Sequence, residues 1–282
     1  MIKWIKSVIA RYILRMTDQV LTFEHTVFDD GLVICGDCND KSIFEFVKNH
    51  ITPHKFAAIV TDPPYGNILE DKWDKTKLTQ QQFSDWMTGW FKVWLDLLPE
   101  GGAFYVWGGI GIPKFRPFFQ FLADIETNKD FHVVLATLIT WGKRRAYGVK
   151  NNFLFTREEL AYFVKGKENK PRVFNIPLLE KVRGYEGYNK KYPAKSEFLR
   201  RTNVWSDITE IFKGKTHPAE KAARVCEIPI EVSSNKDEWV LDLFGGSGST
   251  AIAARKLGRK FVIIEKDKVS YTKIVAKLQL VV

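Results

Sequence analysis

Asp62, Pro63, Pro64 and Tyr65 form the segment of this chain with the clearest chemical potential. They follow an apolar run, residues 56–60, that predicts a buried strand. Two consecutive prolines cannot continue a strand ladder or a helix interior, so the backbone must leave the sheet in a fixed, extended turn. The turn holds a carboxylate, two peptide carbonyls and an aromatic ring in one place. Acceptors beside an aromatic face suit an amino group on a flat base.

A glycine-rich turn supplies a second candidate site. Asp242 ends an apolar strand, and Gly246 and Gly248 lie in the turn before a predicted helix. Glycines allow positive φ and close approach of a ligand, and a helix N-terminus offers free N–H groups. Glu265 ends the next predicted strand, where a carboxylate can accept from both hydroxyls of a ribose. The unit predicts a nucleoside cofactor; NAD is disfavoured because Asp242 precedes the turn and Phe244 lies inside it.

The elements that must position these residues alternate between strands and helices. A predicted helix carries Trp86, Trp90 and Trp94 at helical spacing, which we interpret as core packing. Seven apolar segments predict strands, at residues 32–35, 56–60, 103–107, 133–141, 160–164, 239–243 and 261–264. Strands separated by helices predict an α/β fold with a seven-stranded, mostly parallel sheet and helices on both faces.

The composition excludes several classes of protein. With 282 residues and 45% hydrophobic residues, the chain can bury a large core, which excludes global disorder. Three cysteines argue against a disulfide framework, and the Cys35–Cys38 spacing has no second pair to complete a zinc site. We therefore expect no metal. No run of 18 apolar residues occurs, so no membrane span is expected.

The positive charge of the chain is concentrated in one block. The net charge is +10, and residues 143–201 contain 16 basic and six acidic residues, which accounts for that whole excess. Such a block is typical of a polyanion-binding face, although a solvated lysine-rich surface explains it equally well.

Four segments follow from these patterns. Residues 1–30 predict a basic amphipathic helix and its lead-in, and residues 31–165 form the first part of the main domain. Residues 166–215 hold prolines, tyrosines and many basic residues with little periodicity, so we interpret them as an insertion outside the sheet. Residues 216–282 form the second part of the main domain, with the glycine turn.

The two motifs together resemble those of the DNA amino-methyltransferases that use S-adenosylmethionine. The order is Gly-Asp-Cys at residues 36–38, then Asp-Pro-Pro-Tyr, a variable basic segment and Phe-x-Gly-x-Gly, which is similar to the β group of that family. Trp73-Asp74 and His-Pro-Ala-Glu-Lys at residues 217–221 add to the match, which covers residues 32–278. The resemblance implies a permuted, Rossmann-like methyltransferase fold, with residues 166–215 as the target-recognition insertion.

The resemblance also implies how the first motif works. Asp62 and the Pro63 carbonyl would accept hydrogen bonds from the target amine, Pro64 would fix the turn, and Tyr65 would stack on a base that has flipped out of the duplex. Two acceptors around the amine favour a pyramidal nitrogen whose lone pair points at the sulfonium methyl. In-line positioning then supplies much of the acceleration, without a metal or a covalent enzyme intermediate.

Eight residues would bind S-adenosylmethionine: Asp37, His217, Lys221, Asp242, Phe244, Gly246, Gly248 and Glu265. By the resemblance, Phe244 and the two glycines would line the methionine and sulfonium end. Glu265 would hold the ribose hydroxyls, and Asp37 would reach the adenine amine of the cofactor. His217 and Lys221 would lie near the methionine carboxylate. Asp37 and Lys221 could equally be an ordinary turn acid and a surface lysine.

Five residues of the basic block are expected to hold DNA phosphates: Lys190, Lys191, Lys195, Arg200 and Arg201. The leading hypothesis is a site-specific methyltransferase acting on N6 of adenine in double-stranded DNA, because an aspartate at the first motif position resembles the adenine branch. Cytosine N4 is the alternative target. A non-catalytic DNA-binding protein is a third interpretation, which the retained Asp62 and glycines disfavour.

The resemblance further implies a role in DNA methylation within a restriction–modification system. We expect a cytoplasmic protein of prokaryotic or phage origin. The sequence leaves open whether the chain forms a homodimer.

Overall fold

The computed structural model of the protein describes residues 22–51, 56–64, 78–108, 115–128, 130–147, 150–151, 153–182, 197–209 and 221–280. The predicted N-terminal helix lies outside these ranges. Tyr65, His217, Lys190, Lys191 and Lys195 also lie outside the described residues.

Eleven strands occur in the described part of the chain: β1 (Glu24–Phe28), β2 (Gly31–Cys35), β3 (Phe56–Thr61), β4 (Ala103–Gly108), β5 (Val133–Tyr147), β6 (Phe155–Lys165), β7 (Leu178–Val182), β8 (Phe198–Arg200), β9 (Val204–Trp205), β10 (Trp239–Asp242) and β11 (Lys260–Glu265). The helices are α1 (Lys41–His50), α2 (Gln80–Leu95), α3 (Phe115–Thr127), α4 (Ala223–Ser233), α5 (Ser249–Lys256) and α6 (Lys268–Leu280).

Nine of these strands form one sheet, in the order β1-β2-β11-β10-β3-β4-β6-β5-β9. The five strands from β2 to β4 in this order are all parallel. β1 is antiparallel to β2, and β6 is antiparallel to both β4 and β5. The predicted α/β fold with a mostly parallel sheet is therefore confirmed.

Helices cover both faces of the sheet, which explains why its central strands are continuously apolar. Ile43, Trp90 and Phe121, from α1, α2 and α3, belong to one buried cluster. Val225, Ala251 and Ile274, from α4, α5 and α6, belong to the other. Alternate residues of each strand enter the two clusters; in β11, Val262 faces the first cluster and Ile263 the second.

The sheet has two more strands than the seven predicted. All seven predicted strands are present, and β1 and β9 are additional. β1 forms a tight hairpin with β2, pairing Phe28 with Gly31, and its residues are only partly buried. β9 is two residues long and pairs with the outer edge of β5. Edge strands such as these need no continuous apolar run, so the sequence pattern does not reveal them.

The described part of residues 166–215 lies partly outside the main sheet. β7 and β8 form a separate two-stranded sheet, pairing Leu178 with Arg200. Val204 and Trp205, in contrast, join the main sheet as β9.

Candidate active site

Four of the sequence-predicted site residues lie at the carboxyl ends of neighbouring strands of the sheet. β2, β11, β10 and β3 are parallel neighbours, so their carboxyl ends lie side by side. Asp37 follows β2, Glu265 ends β11, Asp242 ends β10 and Asp62 follows β3. Ligands of open α/β sheets bind outside the carboxyl ends of the strands, so this edge is the candidate active site.

The glycine turn between β10 and α5 requires glycine for its backbone. Gly246 has φ 52° and Gly248 has φ 80°, both in the left-handed region. Gly248 is the N-cap of α5, so the turn leads directly into the free N–H groups of that helix. At Gly245, a Cβ atom would lie 2.5 Å from Ile263 Cγ2, too close for any side chain. The turn therefore has no space for a side chain at Gly245 and needs residues that accept positive φ at Gly246 and Gly248.

Glu265 supports the turn and presents a carboxylate beside it. The Gly246 N–H donates to Oε2 at 2.6 Å, and the Asp267 N–H donates to Oε1 at 2.7 Å. Burial raises the pKa of Glu265 and outweighs these backbone hydrogen bonds. Each carboxylate oxygen has a second lone pair, so Glu265 can still accept from hydroxyl groups of a ligand.

Asp37 lies at the end of the neighbouring strand, where the Gly36 N–H donates to the Glu265 carbonyl oxygen at 2.9 Å. Lys266 Nζ donates to Asp37 Oδ2 at 2.8 Å, and the Asn39 N–H donates to Oδ1 at 2.9 Å. Burial alone would raise the pKa of the Asp37 carboxyl, but these hydrogen bonds outweigh it and hold the pKa below its usual value. Asp37 is therefore an ionised acceptor next to Glu265.

Asp242 joins the two motifs. It is 3% exposed, and Thr61 Oγ1, at the end of β3, donates to its Oδ1 at 2.9 Å. The Phe244 N–H donates to the same oxygen at 3.1 Å, and the Leu243 N–H donates to Thr61 Oγ1 at 3.2 Å. Burial raises the pKa of Asp242 to about 7 despite these bonds. Asp242 thus fixes the glycine turn against the strand that carries Asp62.

Phe244 is held by the tryptophans of α2. Its ring centroid lies 5.7 Å from that of Trp86 and 5.3 Å from that of Trp90. Trp90 and Trp94 are fully buried, as their interpretation as core residues predicts. Trp86 is only partly buried, and it connects the core to the aromatic residue of the turn.

β3 ends at Thr61, and Asp62, Pro63 and Pro64 continue without regular structure, as the two prolines predict. The Asp62 side chain is 26% exposed, and Lys221 Nζ donates to its Oδ2 at 2.6 Å. This contact joins residues 159 positions apart in the chain. The structure therefore places Lys221 on the carboxylate of the first motif.

Sequence reasoning missed two charged residues that join this contact. Glu158 Oε2 lies 3.0 Å from Lys221 Nζ, and Glu158 Oε1 pairs with Lys143 Nζ. Burial would lower the pKa of Lys221, but the Asp62 and Glu158 carboxylates outweigh it and raise the pKa. Burial would raise the pKa of Glu158, but Lys221 and Lys143 lower it. The sequence offers two signals: Trp141-x-Lys143, a further match to the resembled family, and an acid pair at residues 158–159, at the entry to an apolar strand.

The two described arginines of the predicted DNA-binding set have different surroundings. The guanidinium of Arg200 lies 5.6 Å from the ring centroid of Phe174. Arg201 donates to both carboxylate oxygens of Asp207, at 2.7 and 2.8 Å, and its side chain is 6% exposed. Arg201 is thus engaged within the protein, while its DNA contact stays a prediction.

The described residues meet the requirements of neither a metal site nor a membrane-spanning helix. Among the described residues, no group of three or more histidines, cysteines or acids is placed to hold a metal ion. No helix in the described ranges is long and apolar enough to cross a membrane.

Known proteins are similar to this chain in sequence. A family of DNA methylases of the N6/N4 type matches residues 56–277. The type II methyltransferase M.BamHI of Bacillus amyloliquefaciens is 28% identical over 257 residues, which are 84% of this chain but only 55% of that relative's length. The type II methyltransferase M1.MboII of Moraxella bovis is 29% identical over 244 residues, 78% of this chain and 87% of that protein.

Solved structures share the fold. The crystal structure of M1.HpyAVI with SAM is similar with a TM-score of 0.56 and 22% identity, covering 87% of this chain and 98% of that one. The cytosine-N4-specific PvuII DNA methyltransferase is similar with a TM-score of 0.62 and 19% identity. The match covers 87% of this chain and 85% of that one. The predicted methyltransferase fold is therefore confirmed.

Proposed function

This chain belongs to the N6/N4 family of DNA methylases, and we propose that it transfers a methyl group from S-adenosylmethionine to N6 of adenine in double-stranded DNA. The observation that carries the proposal is the edge of the sheet where Asp62 and the glycine turn are tied together through the Thr61–Asp242 hydrogen bond. A base acceptor and a nucleoside-binding turn are fixed relative to each other, as in-line transfer requires. M.BamHI and M1.MboII, which it resembles, are type II methyltransferases.

S-Adenosylmethionine supplies an electrophilic methyl group on a sulfonium. The residues of this edge fit such a cofactor: Glu265 and Asp37 offer carboxylates at adjacent strand ends for ribose hydroxyls and an adenine amine. The glycine turn would let a cofactor approach its backbone, because Gly246 and Gly248 carry no side chains. The solved M1.HpyAVI structure contains SAM, which supports this assignment by similarity of fold.

On the side of the base, Asp62 accepts a hydrogen bond from the target amine. The nitrogen of an aromatic amine is a weak nucleophile because its lone pair is delocalised into the ring. A charged acceptor strengthens the bond from the N–H group and favours a nitrogen whose lone pair is localised. Transfer would break the S–CH₃ bond of the sulfonium as the N–CH₃ bond forms, and Asp62 would receive the proton that the amine then loses. Pro63 and Pro64 keep this acceptor in a fixed position.

Cytosine N4 remains the second candidate target. Its exocyclic amine has the same two hydrogens as that of adenine, so the same acceptors serve it. The fold supports it as well, because the similar PvuII enzyme is cytosine-N4-specific. The aspartate at position 62 favours adenine.

We propose residues 166–215 as the target-recognition insertion between the two parts of the methyltransferase domain. β7 and β8 form a small sheet of their own there, separate from the sheet that carries the chemistry. The basic residues of this span suit DNA phosphates, which provide affinity and register. In a restriction–modification setting, this segment would determine which sequence is methylated.

The test is transfer of tritiated methyl groups from S-adenosylmethionine to duplex DNA, followed by digestion to nucleosides. We expect N6-methyladenine; N4-methylcytosine would establish the alternative, and absence of any transfer would favour a non-catalytic DNA-binding protein.

Asp62→Ala should abolish transfer, because the charged acceptor is lost. Binding of S-adenosylhomocysteine, measured by calorimetry, should survive, because the glycine turn is intact. Near wild-type transfer by this variant would show that Asp62 does not have the assigned role.

A further inference from the structure

We propose that Lys221 is the positioning residue of Asp62, held in place by Glu158, rather than a ligand of the cofactor carboxylate. The inference rests on the proposed function, because it gives Asp62 the role of acceptor. Its basis is geometric: Lys221 Nζ lies 2.6 Å from Asp62 Oδ2 and 3.0 Å from Glu158 Oε2. The same ammonium group therefore contacts two carboxylates from different parts of the sheet.

Burial strengthens the interaction between Lys221 and Asp62. The side chains of Lys221 and Glu158 are each 8% exposed, while that of Asp62 is 26% exposed. Charge–charge interactions in a poorly solvated site are screened far less than at the surface. The buried ammonium group thus holds a more exposed carboxylate, and its bond to Oδ2 restricts the orientation of that carboxylate.

Lys221 is itself held from several directions. Its ammonium group lies 4.7 Å from the ring centroid of Trp107, within the range of a cation–π interaction. Glu158 fixes it from β6, and Lys143 from β5 pairs with the other oxygen of Glu158. Lys143 in turn lies 5.1 Å from the ring centroid of Trp141. The result is a row of alternating charges, which we call the Lys143–Asp62 row.

The row matches the requirement of the reaction. A carboxylate that must accept from an amine has to be correctly oriented before the base arrives. The 2.6 Å bond from Lys221 restricts how the Asp62 carboxylate can turn, and Glu158, 3.0 Å from the same ammonium group, keeps the lysine beside Asp62.

Lys221→Met tests the proposal, because methionine retains an unbranched, apolar side chain and removes the charge. We expect kcat to fall about a hundredfold, as for a misplaced reacting group. The KM for S-adenosylmethionine and the Kd for S-adenosylhomocysteine should stay close to the wild-type values. If KM and Kd instead rise by an order of magnitude or more while kcat is unchanged, Lys221 binds the cofactor and the proposal is wrong.

A second variant covers the case in which Lys221→Met does not fold, since removing one member of a buried ion pair is costly. Glu158→Gln keeps the shape and one acceptor oxygen but removes the charge that holds Lys221. It should lower kcat about tenfold without raising KM for the cofactor, as a smaller displacement of the acceptor would. Wild-type kcat in this variant would overturn the proposal.

Lys165→Met is the matched control. Lys165 is at the other end of β6, where its ammonium group donates to the Leu95 and Leu98 carbonyls at 3.0 and 2.7 Å. The substitution should lower stability while leaving kcat and KM as in wild type. Failure of the proposed function would appear separately, as absence of methyl transfer by the wild-type protein.

Discussion

At the scale of single residues, two aspartates at the carboxyl ends of neighbouring strands have pKa values shifted in opposite directions. Lys266 and Asn39 hold the pKa of Asp37 below its usual value, against the effect of its burial, whereas burial raises the pKa of Asp242 to about 7. The difference follows from their partners: Asp37 has a cation, and the hydrogen bonds to Asp242 come from neutral donors. An ionised acid suits a ligand amine, whereas Asp242 is enclosed by hydrogen bonds that connect the glycine turn to β3.

Asp242→Asn should therefore change how stability depends on pH. The folded protein keeps the proton on Asp242 to about pH 7, while the unfolded chain releases it near 3.8. The stabilisation from this group is thus fully present below the unfolded pKa and is lost as the pH rises through the folded pKa, by roughly 4 kcal/mol at most. Asparagine cannot ionise, so the variant should gain stability relative to wild type as the pH rises across this window.

Urea denaturation at several pH values measures this difference. The same substitution at the exposed Asp29 is the control and should leave the wild-type pH dependence in place. A constant difference between wild type and Asp242→Asn across this range would contradict the raised pKa.

At the scale of elements, the glycine turn between β10 and α5 has a strict backbone requirement. Gly248 has φ 80°, and a Cβ atom added there would lie 3.2 Å from Ile274 Cγ2 in α6. Gly89 is the opposite case: it is an exposed residue within α2, and a Cβ atom there would meet nothing within 4 Å. The backbone therefore requires glycine at position 248, whereas nothing in the fold requires it at position 89.

Gly248→Ala should lower the unfolding free energy by about 1–3 kcal/mol, because alanine is strained at this φ. It should also weaken binding of S-adenosylhomocysteine, since the turn must move. Gly89→Ala should instead raise stability by about 0.5–1 kcal/mol and leave binding unchanged, because alanine is the better helix former. Thermal unfolding and calorimetry measure both effects; equal effects of the two substitutions would refute the argument.

At the scale of the whole molecule, much of the architecture follows from local sequence patterns. The seven predicted strands are present because their apolar runs are buried between two layers of helices, as at Val262 and Ile263. The contact of Lys221 with Asp62 could not be predicted, since it spans 159 positions and depends on how β3, β6 and the segment before α4 meet. β1 and β9 could not be predicted, because partly exposed edge strands do not need a continuous run of apolar residues.

The distribution of charge over the molecule leads to a prediction for DNA binding. Replacing Lys190 and Lys191 by alanine should weaken binding and flatten its dependence on salt, because fewer counterions are released. Fluorescence anisotropy at several salt concentrations measures the slopes. An unchanged slope for the lysine variant would place the DNA-binding face elsewhere.

The order of the central strands affects how the protein can be made. β10 and β11, from the last part of the described chain, lie between β2 and β3, which come from its beginning. During synthesis on the ribosome, β2 and β3 emerge together with their other neighbours, β1 and β4, but the two strands that lie between them are complete only when residues 239–265 have emerged. A nascent chain therefore cannot place the glycine turn beside the strand that leads to Asp62 before that moment.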